Sequence, residues 1–500
     1  MPFANDDPQR PPFATGLFAS EPMPVAETVQ FMPSTAPYRR IKTMRDANDA
    51  SPDFTPAQLL GAETPGEFLA LFDEDYTPVE PFNEFMLHHC YQPARFQNWQ
   101  KTQAAYADDL AIFLAYLHRK GVSWRSVGRP EIKDYVRELT ARTVSTKTRR
   151  EFSPATVRRR VGTVLTFFDW AVDEKKLIPV ENCFGYANRR VLYQDRTRFA
   201  SHFAGKMMKL VASSGFNKFL PAQPDPADQV RPIPADQIPA LLNALGPRFI
   251  CDADQRPRRN RLIAEATLLT GMRISEVCSL TLNDIQELSE KITDDDLDAM
   301  FAIRVYRTKG RHHRDILFSG RVIKRLDEYA LGERHDVIEA ALDRGKFGGR
   351  NGKQRLPRAL FLNGEGANLR DLGEPVSQDT AYRAFRRAVI QVGLTTTVQR
   401  YDVDPDTGRP LRENGAPITT SYENFPRHSF HDLRHTYAVN FYAAAIRAGR
   451  PDAVKKLQAL LGHRHLETTM KIYLRHVEAG EAVIADLHDA LFKRLLDGTY

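Results

Sequence analysis

His431-Asp432-Leu433-Arg434-His435 stands near the C-terminus, followed by Leu461-Gly462-His463 and then by Tyr473. Upstream of all three lies Gly271-Met272-Arg273-Ile274-Ser275-Glu276. His431 and Arg434 are three residues apart, which on a helix puts both on one face. Leu262, Ile263, Ala266 and Leu269 form an apolar stripe that stops at Gly271, so one helix ends there and a second, presenting Arg273, begins. Glu276 follows three residues later, close enough to orient Arg273 through a carboxylate bond. The other reading of Glu276 is an ordinary surface glutamate.

Few chemistries use this set. Attack on a phosphodiester adds charge to the non-bridging oxygens, and a site without a metal must meet that charge with guanidinium forks. Arg273 and Arg434 are the candidates. His431 and His435 have the i, i+4 spacing of a zinc pair, but the accompanying glutamate is missing and Arg434 would sit inside the site. Asp402, Asp404, Asp406 and Glu413 echo a calcium loop, but Gly408 falls one place late and Pro405 interrupts it. No metal and no cofactor is expected, and the set suits attack by a phenol.

Bulk properties fit a large globular protein. At 500 residues, with 42% hydrophobic and 27% charged residues, two or three domains are expected. Lys and Arg number 70 against 63 Asp and Glu, and the excess is local. Arg137, Arg142, Lys147, Arg149, Arg150, Arg158, Arg159 and Arg160 cluster against only Glu138 and Glu151, a field that favours a polyanion. Cys90, Cys183, Cys251 and Cys278 form no CxxC pair, which fits a reducing cytoplasm. No apolar run approaches the ~18 residues of a membrane span, and the N-terminus lacks a secretory signal pattern. No membrane partner is expected.

Residues 1–94 read as a Pro-rich extension, extended or disordered to about residue 50, with a short helix over Gly66–Phe72. Helical stripes follow: Tyr106, Leu110, Phe113, Leu114 and Leu117 up to Gly121, then Val157, Val161, Val164, Leu165 and Phe168 behind an N-cap at Ser153 with Pro154 at the first position. Arg158 and Arg159 lie on the other face. Residues 186–231 are a basic segment, either a helix along DNA or a cap on the preceding domain, ending in a proline-rich linker. Phe301–Val305 and Asp315–Phe318 alternate as a hairpin around Lys309-Gly310. Asp404-Pro405-Asp406-Thr407-Gly408 and Glu413-Asn414-Gly415-Ala416-Pro417 are turn signals flanking an exposed hairpin. Val483, Ile484, Leu487, Leu491 and Leu495 form a last apolar stripe, packed on its own domain or on a neighbouring protomer.

The order and wording of the motifs resemble the tyrosine recombinases, the phage-integrase family, over roughly residues 95–490. The resemblance implies a mainly α fold with a small antiparallel β-sheet in the catalytic domain, built as a helical core-binding domain (95–185) and a mixed α+β catalytic domain (232–500). Residues 331–358 and 396–427 are insertions relative to the compact form. It implies Lys309 as the acid that protonates the leaving 5′ oxygen, chosen over Arg307, Arg311 and Arg314 on resemblance. It also gives His431 to proton transfer from the nucleophile, His463 to a phosphate oxygen, Glu276 to a supporting role and Tyr473, ten residues beyond His463, to the nucleophile. His435 reads as a packing residue. Arg149, Arg150, Arg158 and Arg159 are expected on the DNA backbone.

The implied activity is site-specific cleavage and rejoining of duplex DNA through a 3′-phosphotyrosyl intermediate, for integration or excision of a mobile element. A homotetramer on two double-stranded DNA sites, accessory proteins from the same element, and a bacterial, cytoplasmic, nucleoid-associated setting go with it. The rivals are a type IB-like topoisomerase and an architectural DNA-binding protein with a vestigial site.

Overall fold

The computed structural model describes residues 39–42, 68–91, 99–141, 151–173, 220–222, 230–248, 254–305, 313–348, 355–364, 366–404, 410–450 and 452–462. The chain divides into two compact units, residues 1–124 with 404–407, and residues 125–403 with 408–500.

In the first unit the expected helix at Gly66–Phe72 is replaced by a strand. β1 (Arg39–Lys42) and β2 (Leu69–Phe72) pair antiparallel, with Ile41 opposite Ala70. A four-residue apolar run does not distinguish helix from strand; here the side-chain amides of two helices decide it. Asn83 on α1 (Phe82–Cys90) accepts from the Leu71 N–H at 2.8 Å and donates to the Leu71 carbonyl at 2.9 Å. Gln103 on α2 (Trp99–Lys120) does the same for Leu69, at 2.9 and 2.8 Å. Two buried amides thus complete the strand's backbone bonding, which a buried backbone requires. α2 is the expected stripe: Leu110, Phe113, Leu114 and Leu117 are buried, and Gly121 ends it with φ +66°.

The second unit opens with α3 (Arg129–Ala141) and α4 (Pro154–Asp173). Ser153 caps α4 by accepting the Thr156 N–H at 3.2 Å, and Val157, Val161, Val164 and Phe168 are buried. Of the basic cluster, Arg159 is exposed, Arg158 is half-buried with its Nε donating to the Pro221 carbonyl at 2.7 Å, and Arg160 is buried over the Phe152 ring. Arg149 and Arg150 lie outside the described residues, as do the 186–219 segment and the last apolar stripe.

The C-terminal region follows as α5 (Ile238–Leu245), α6 (Arg259–Thr270), α7 (Ile274–Val277), α8 (Leu282–Ser289), the hairpin β3 (Met300–Val305) and β4 (Arg314–Ser319), α9 (Gly320–Leu331), α10 (Glu333–Asp343) and α11 (Gln378–Gln391). A long ribbon comes next, β5 (Thr395–Tyr401) against β8 (Thr419–Pro426), enclosing the small pair β6 (Arg412–Glu413) and β7 (Ala416–Pro417) around Asn414-Gly415. α12 (Phe430–Arg447) and α13 (Ala453–Leu461) complete it. Helices thus dominate, with antiparallel two-stranded ribbons rather than a single sheet among the described residues.

One apolar core runs through Ile238, Ile263, Leu268, Ile285, Ile316, Phe318, Ile323, Phe361, Phe385 and Leu433, joining α5, α6, α8, β4, α9, α11 and α12. The 331–358 stretch has its own satellite core, with Val337, Ile338 and Ala341 packed on Leu362 and Leu372. α12 packs on α6, α11 and α13.

The chain's entry into this region is pinned to α12 by one hydroxyl. Thr436 Oγ1 accepts the Ile233 N–H at 2.8 Å and donates to the Asp432 carbonyl at 2.7 Å, and Thr436 is fully buried. Thr436→Val should therefore destabilise the fold by about 1–3 kcal/mol, the cost of leaving a buried donor unpaired. A denaturant titration checks it, and an unchanged midpoint would show that the bond contributes nothing net.

Candidate active site

Three separate stretches carry side chains to one helix end. The first is the stop and restart at Gly271. α6 closes there with φ +69°, its last turn capped by the Gly271 N–H on the Thr267 carbonyl at 2.9 Å. The left-handed conformation suits glycine, and so does the packing: a Cβ would stand 2.4 Å from the Tyr437 ring and 3.2 Å from Leu461. Two residues on, Arg273 takes the N-cap position of α7. Glu276, with no exposed surface, accepts the Arg273 backbone N–H on Oε2 at 2.8 Å and Arg273 Nη1 on Oε1 at 2.9 Å.

The second stretch is the start of α12. Asp432 accepts the Ser429 N–H at 2.9 Å, which fixes the first turn, and His431 and Arg434 emerge from that turn. Arg434 is only 1% exposed, and its Nη1 donates to the Gly271 carbonyl at 2.5 Å. His431 stands edge-on to His435, ring centres 4.6 Å apart. Desolvation, then the charges of Arg434 and Arg273, hold the His431 imidazolium below the usual histidine range, with Asp432 opposing them. Because the residue keeps exposed surface, the two arginines are the firmer cause.

The third is β4. Arg314 is buried, and Nη2 donates to Glu276 Oε2. Burial opposes the ionised form of Glu276, but Arg314 and Arg273 outweigh it and keep the carboxyl below the ordinary carboxylate range.

All three converge on the end of α13, where Gly462 turns left-handed at φ +63°. Arg314 Nη1 donates to the Leu460 carbonyl, Arg434 Nη2 to the Leu461 carbonyl, and Arg273 Nη2 to the Gly462 carbonyl at 3.4 Å. Three consecutive carbonyls therefore face three arginines. A helix C-terminus leaves its last carbonyls unpaired and carries partial negative charge, so guanidinium groups are favoured there.

The structure thus brings together Arg273, Glu276, His431 and Arg434 of the residues picked from sequence. Lys309, His463 and Tyr473 lie outside the described residues; the strands flanking Lys309 pair with Val305 opposite Arg314, and Gly462 is the described neighbour of His463. Arg314 was missed as a site residue. Strand parity carried the signal: on β4 Arg314 shares the inward face with Ile316 and Phe318, and a charge at an inward position needs a partner. No group of three metal-ligating side chains is present among the described residues, and no described helix is long and apolar enough to cross a membrane.

Residues 231–479 match the phage integrase family, and residues 99–175 match the phage integrase N-terminal SAM-like domain. Tyrosine recombinase XerD of Mycobacterium tuberculosis (strain H37Rv) is 26% identical over 293 residues, covering 56% of this chain and 72% of that protein. XerD of Corynebacterium glutamicum is 26% identical over 221 residues, covering 44% and 49%. Among solved structures, the Tn1549 transposon integrase in complex with transposon right end DNA is 16% identical with a TM-score of 0.41, covering 80% of this chain and 98% of that one. XerH bound to palindromic difH substrate is 16% identical with a TM-score of 0.40, covering 77% and 80%. The chain belongs to the phage integrase family of tyrosine recombinases, enzymes that recombine DNA with a tyrosine nucleophile.

Gly271→Ala should cost about 1–2 kcal/mol for left-handed backbone and about 1–3 kcal/mol for the displaced Tyr437 ring. Thermal unfolding measures it; a melting temperature equal to that of the unaltered chain would mean that α12 yields to the methyl group without cost.

Proposed function

We propose that this chain is a site-specific recombinase that cuts and rejoins duplex DNA through a 3′-phosphotyrosyl intermediate formed on Tyr473, serving integration or excision of a mobile element in a bacterial cell. The observation that carries the reading is the convergence of Arg273 and Arg434 on the turn that leads into His463. Two guanidiniums fixed on the same few carbonyls keep their spacing to one another, which is the preorganisation that phosphoryl transfer uses.

In this reading Arg273 and Arg434 take the charge that develops on the non-bridging oxygens, and His463 donates to one of them. Tyr473 attacks phosphorus while His431 accepts its proton, and the bond to the 5′ oxygen breaks as Lys309 protonates that oxygen. The phosphotyrosyl ester conserves the energy of the broken bond, so a 5′ hydroxyl from a partner duplex can reverse the step without ATP. The helical domain at 95–185 and the catalytic domain at 232–500 clamp the duplex, with Arg149, Arg150, Arg158 and Arg159 on backbone phosphate, and four protomers hold two DNA sites. The match to the integrase family and the XerD relatives favour strand exchange over relaxation by a type IB-like topoisomerase.

The test is covalent capture. Incubated with sheared genomic DNA of the source organism and then denatured, the wild-type protein should retain DNA whose sequenced ends define one site. Tyr473→Phe should retain none, and Arg273→Ala or Arg434→Ala should retain at least about 10²-fold less. Adduct formation by the Phe variant would assign the nucleophile elsewhere, and no adduct from wild type would overturn the mechanism.

His431 supplies the pH dependence. A base must be neutral, and a pKa held below 6.5 keeps His431 neutral at pH 7. Cleavage of the recovered site should therefore decline on acidification with a midpoint below pH 6.5. The decline should vanish from the slower reaction of His431→Gln. Its persistence there would place the titrating group elsewhere.

A further inference from the structure

The structure assigns a role to Arg314 that the recombinase reading leaves unfilled: we infer that it is the positioning residue that locks Glu276, and through it Arg273, to the turn preceding His463. The inference rests on Arg273 being a phosphate-binding arginine, as proposed above.

Arg314 opens β4, directly after the Lys309 segment, and faces inward. Its guanidinium spans two partners that are distant in sequence, Glu276 Oε2 and the Leu460 carbonyl. Glu276 in turn holds Arg273 by its backbone N–H and by Nη1. The packing leaves no slack on the far side: a Cβ on Gly462 would stand 2.9 Å from Arg314 Cδ. A shift of Arg314 therefore moves both the carboxylate that orients Arg273 and the backbone that leads to His463. Arg434 is held without Glu276, since it reaches the Gly271 and Leu461 carbonyls directly.

Arg314 also sets the charge state on which the link depends. The groups bearing on Glu276 are Arg273 from its own element and Arg314 from β4, while Tyr437 of α12 bears on Arg314 and His431 bears near Arg273. Burial favours a neutral Glu276, and a neutral carboxyl cannot hold Arg273 as a full ion pair. The sign follows directly. With both arginines present the folded-state pKa lies below 4.5, so the stability that Glu276 contributes is complete above that pH and is lost as pH falls through the lowered value. Without Arg314, burial is opposed by Arg273 alone, the folded pKa rises, and Glu276 contributes less stability above pH 4.5, so a falling pH reaches the unfolding threshold of the whole chain sooner.

The experiment has two arms, both on the full chain. On a nicked duplex carrying the captured site, Arg314→Met should bind DNA within about threefold of wild type but cleave about 10- to 100-fold more slowly, the range for a residue that orients a directly acting one. Arg314→Lys, which keeps the charge but reaches only one partner, should recover much of that loss. Glu276→Gln combined with Arg314→Met should be no slower than the slower single variant, because both break one link. In the second arm, which needs no DNA, acid unfolding followed by circular dichroism should begin at higher pH in Arg314→Met than in wild type, and Glu276→Gln should abolish that difference.

Cleavage by Arg314→Met at the wild-type rate, no recovery with Lys, or multiplying losses in the double variant would overturn the positioning role. So would identical acid unfolding of Arg314→Met and wild type. If wild type itself forms no covalent adduct, the recombinase mechanism fails, and the acid-unfolding arm still decides whether Arg314 holds Glu276.

Discussion

The end of α13 is the constraint on which the rest of the catalytic region turns. A helix leaves its last carbonyls without intrahelical donors, and here those of Leu460, Leu461 and Gly462 receive Arg314, Arg434 and Arg273 in turn. Each arginine comes from a different part of the chain: the hairpin, the start of α12 and the start of α7. A group of cations this close would repel itself apart in a dry interior. The helix terminus, the Gly271 carbonyl and the buried Glu276 carboxylate supply the opposing charge. Fold and site are therefore one object here, because the contacts that close the core around Leu433 and Ile316 also aim the guanidiniums.

Much of this was legible because the positions concerned obey local rules. Gly271 reads as a helix stop from the stripe before it, and the structure adds a second reason for the glycine, the Tyr437 ring pressed against its Cα. Ser153-Pro154 reads as a helix start and is one. The alternation over Phe301–Val305 and Asp315–Phe318 reads as a hairpin, and the structure forms one, with Phe301 opposite Phe318 and Ile303 opposite Ile316.

What sequence did not yield depends on partners far along the chain. The Leu69–Phe72 strand exists because Asn83 and Gln103 reach its backbone, and nothing within the four residues announces those amides. Arg314 sits among arginines in a basic stretch, where composition suggests solvent or DNA; only its parity with Ile316 marks it as buried. Arg160 is the same case in the helical region. It belongs by composition to a DNA-facing cluster, yet it lies beneath its neighbours over the Phe152 ring. Charge clusters describe a field, whereas burial is decided residue by residue through periodicity.

Tyr437 shows what keeps a tyrosine inside this core from serving as a nucleophile. It is a phenol already beside the arginines, and proximity alone would make it a candidate. Burial pushes its pKa up to about 12, with Arg314 and Arg434 offsetting only part of that shift. A phenol enclosed on all sides loses more from desolvation than the neighbouring cations return, so it stays protonated and serves as packing against Gly271. A nucleophilic tyrosine needs the opposite balance, with the cations close and water or phosphate still in reach. In this chain the sequence that continues past Gly462, through His463 to Tyr473, starts from the very turn the three arginines hold.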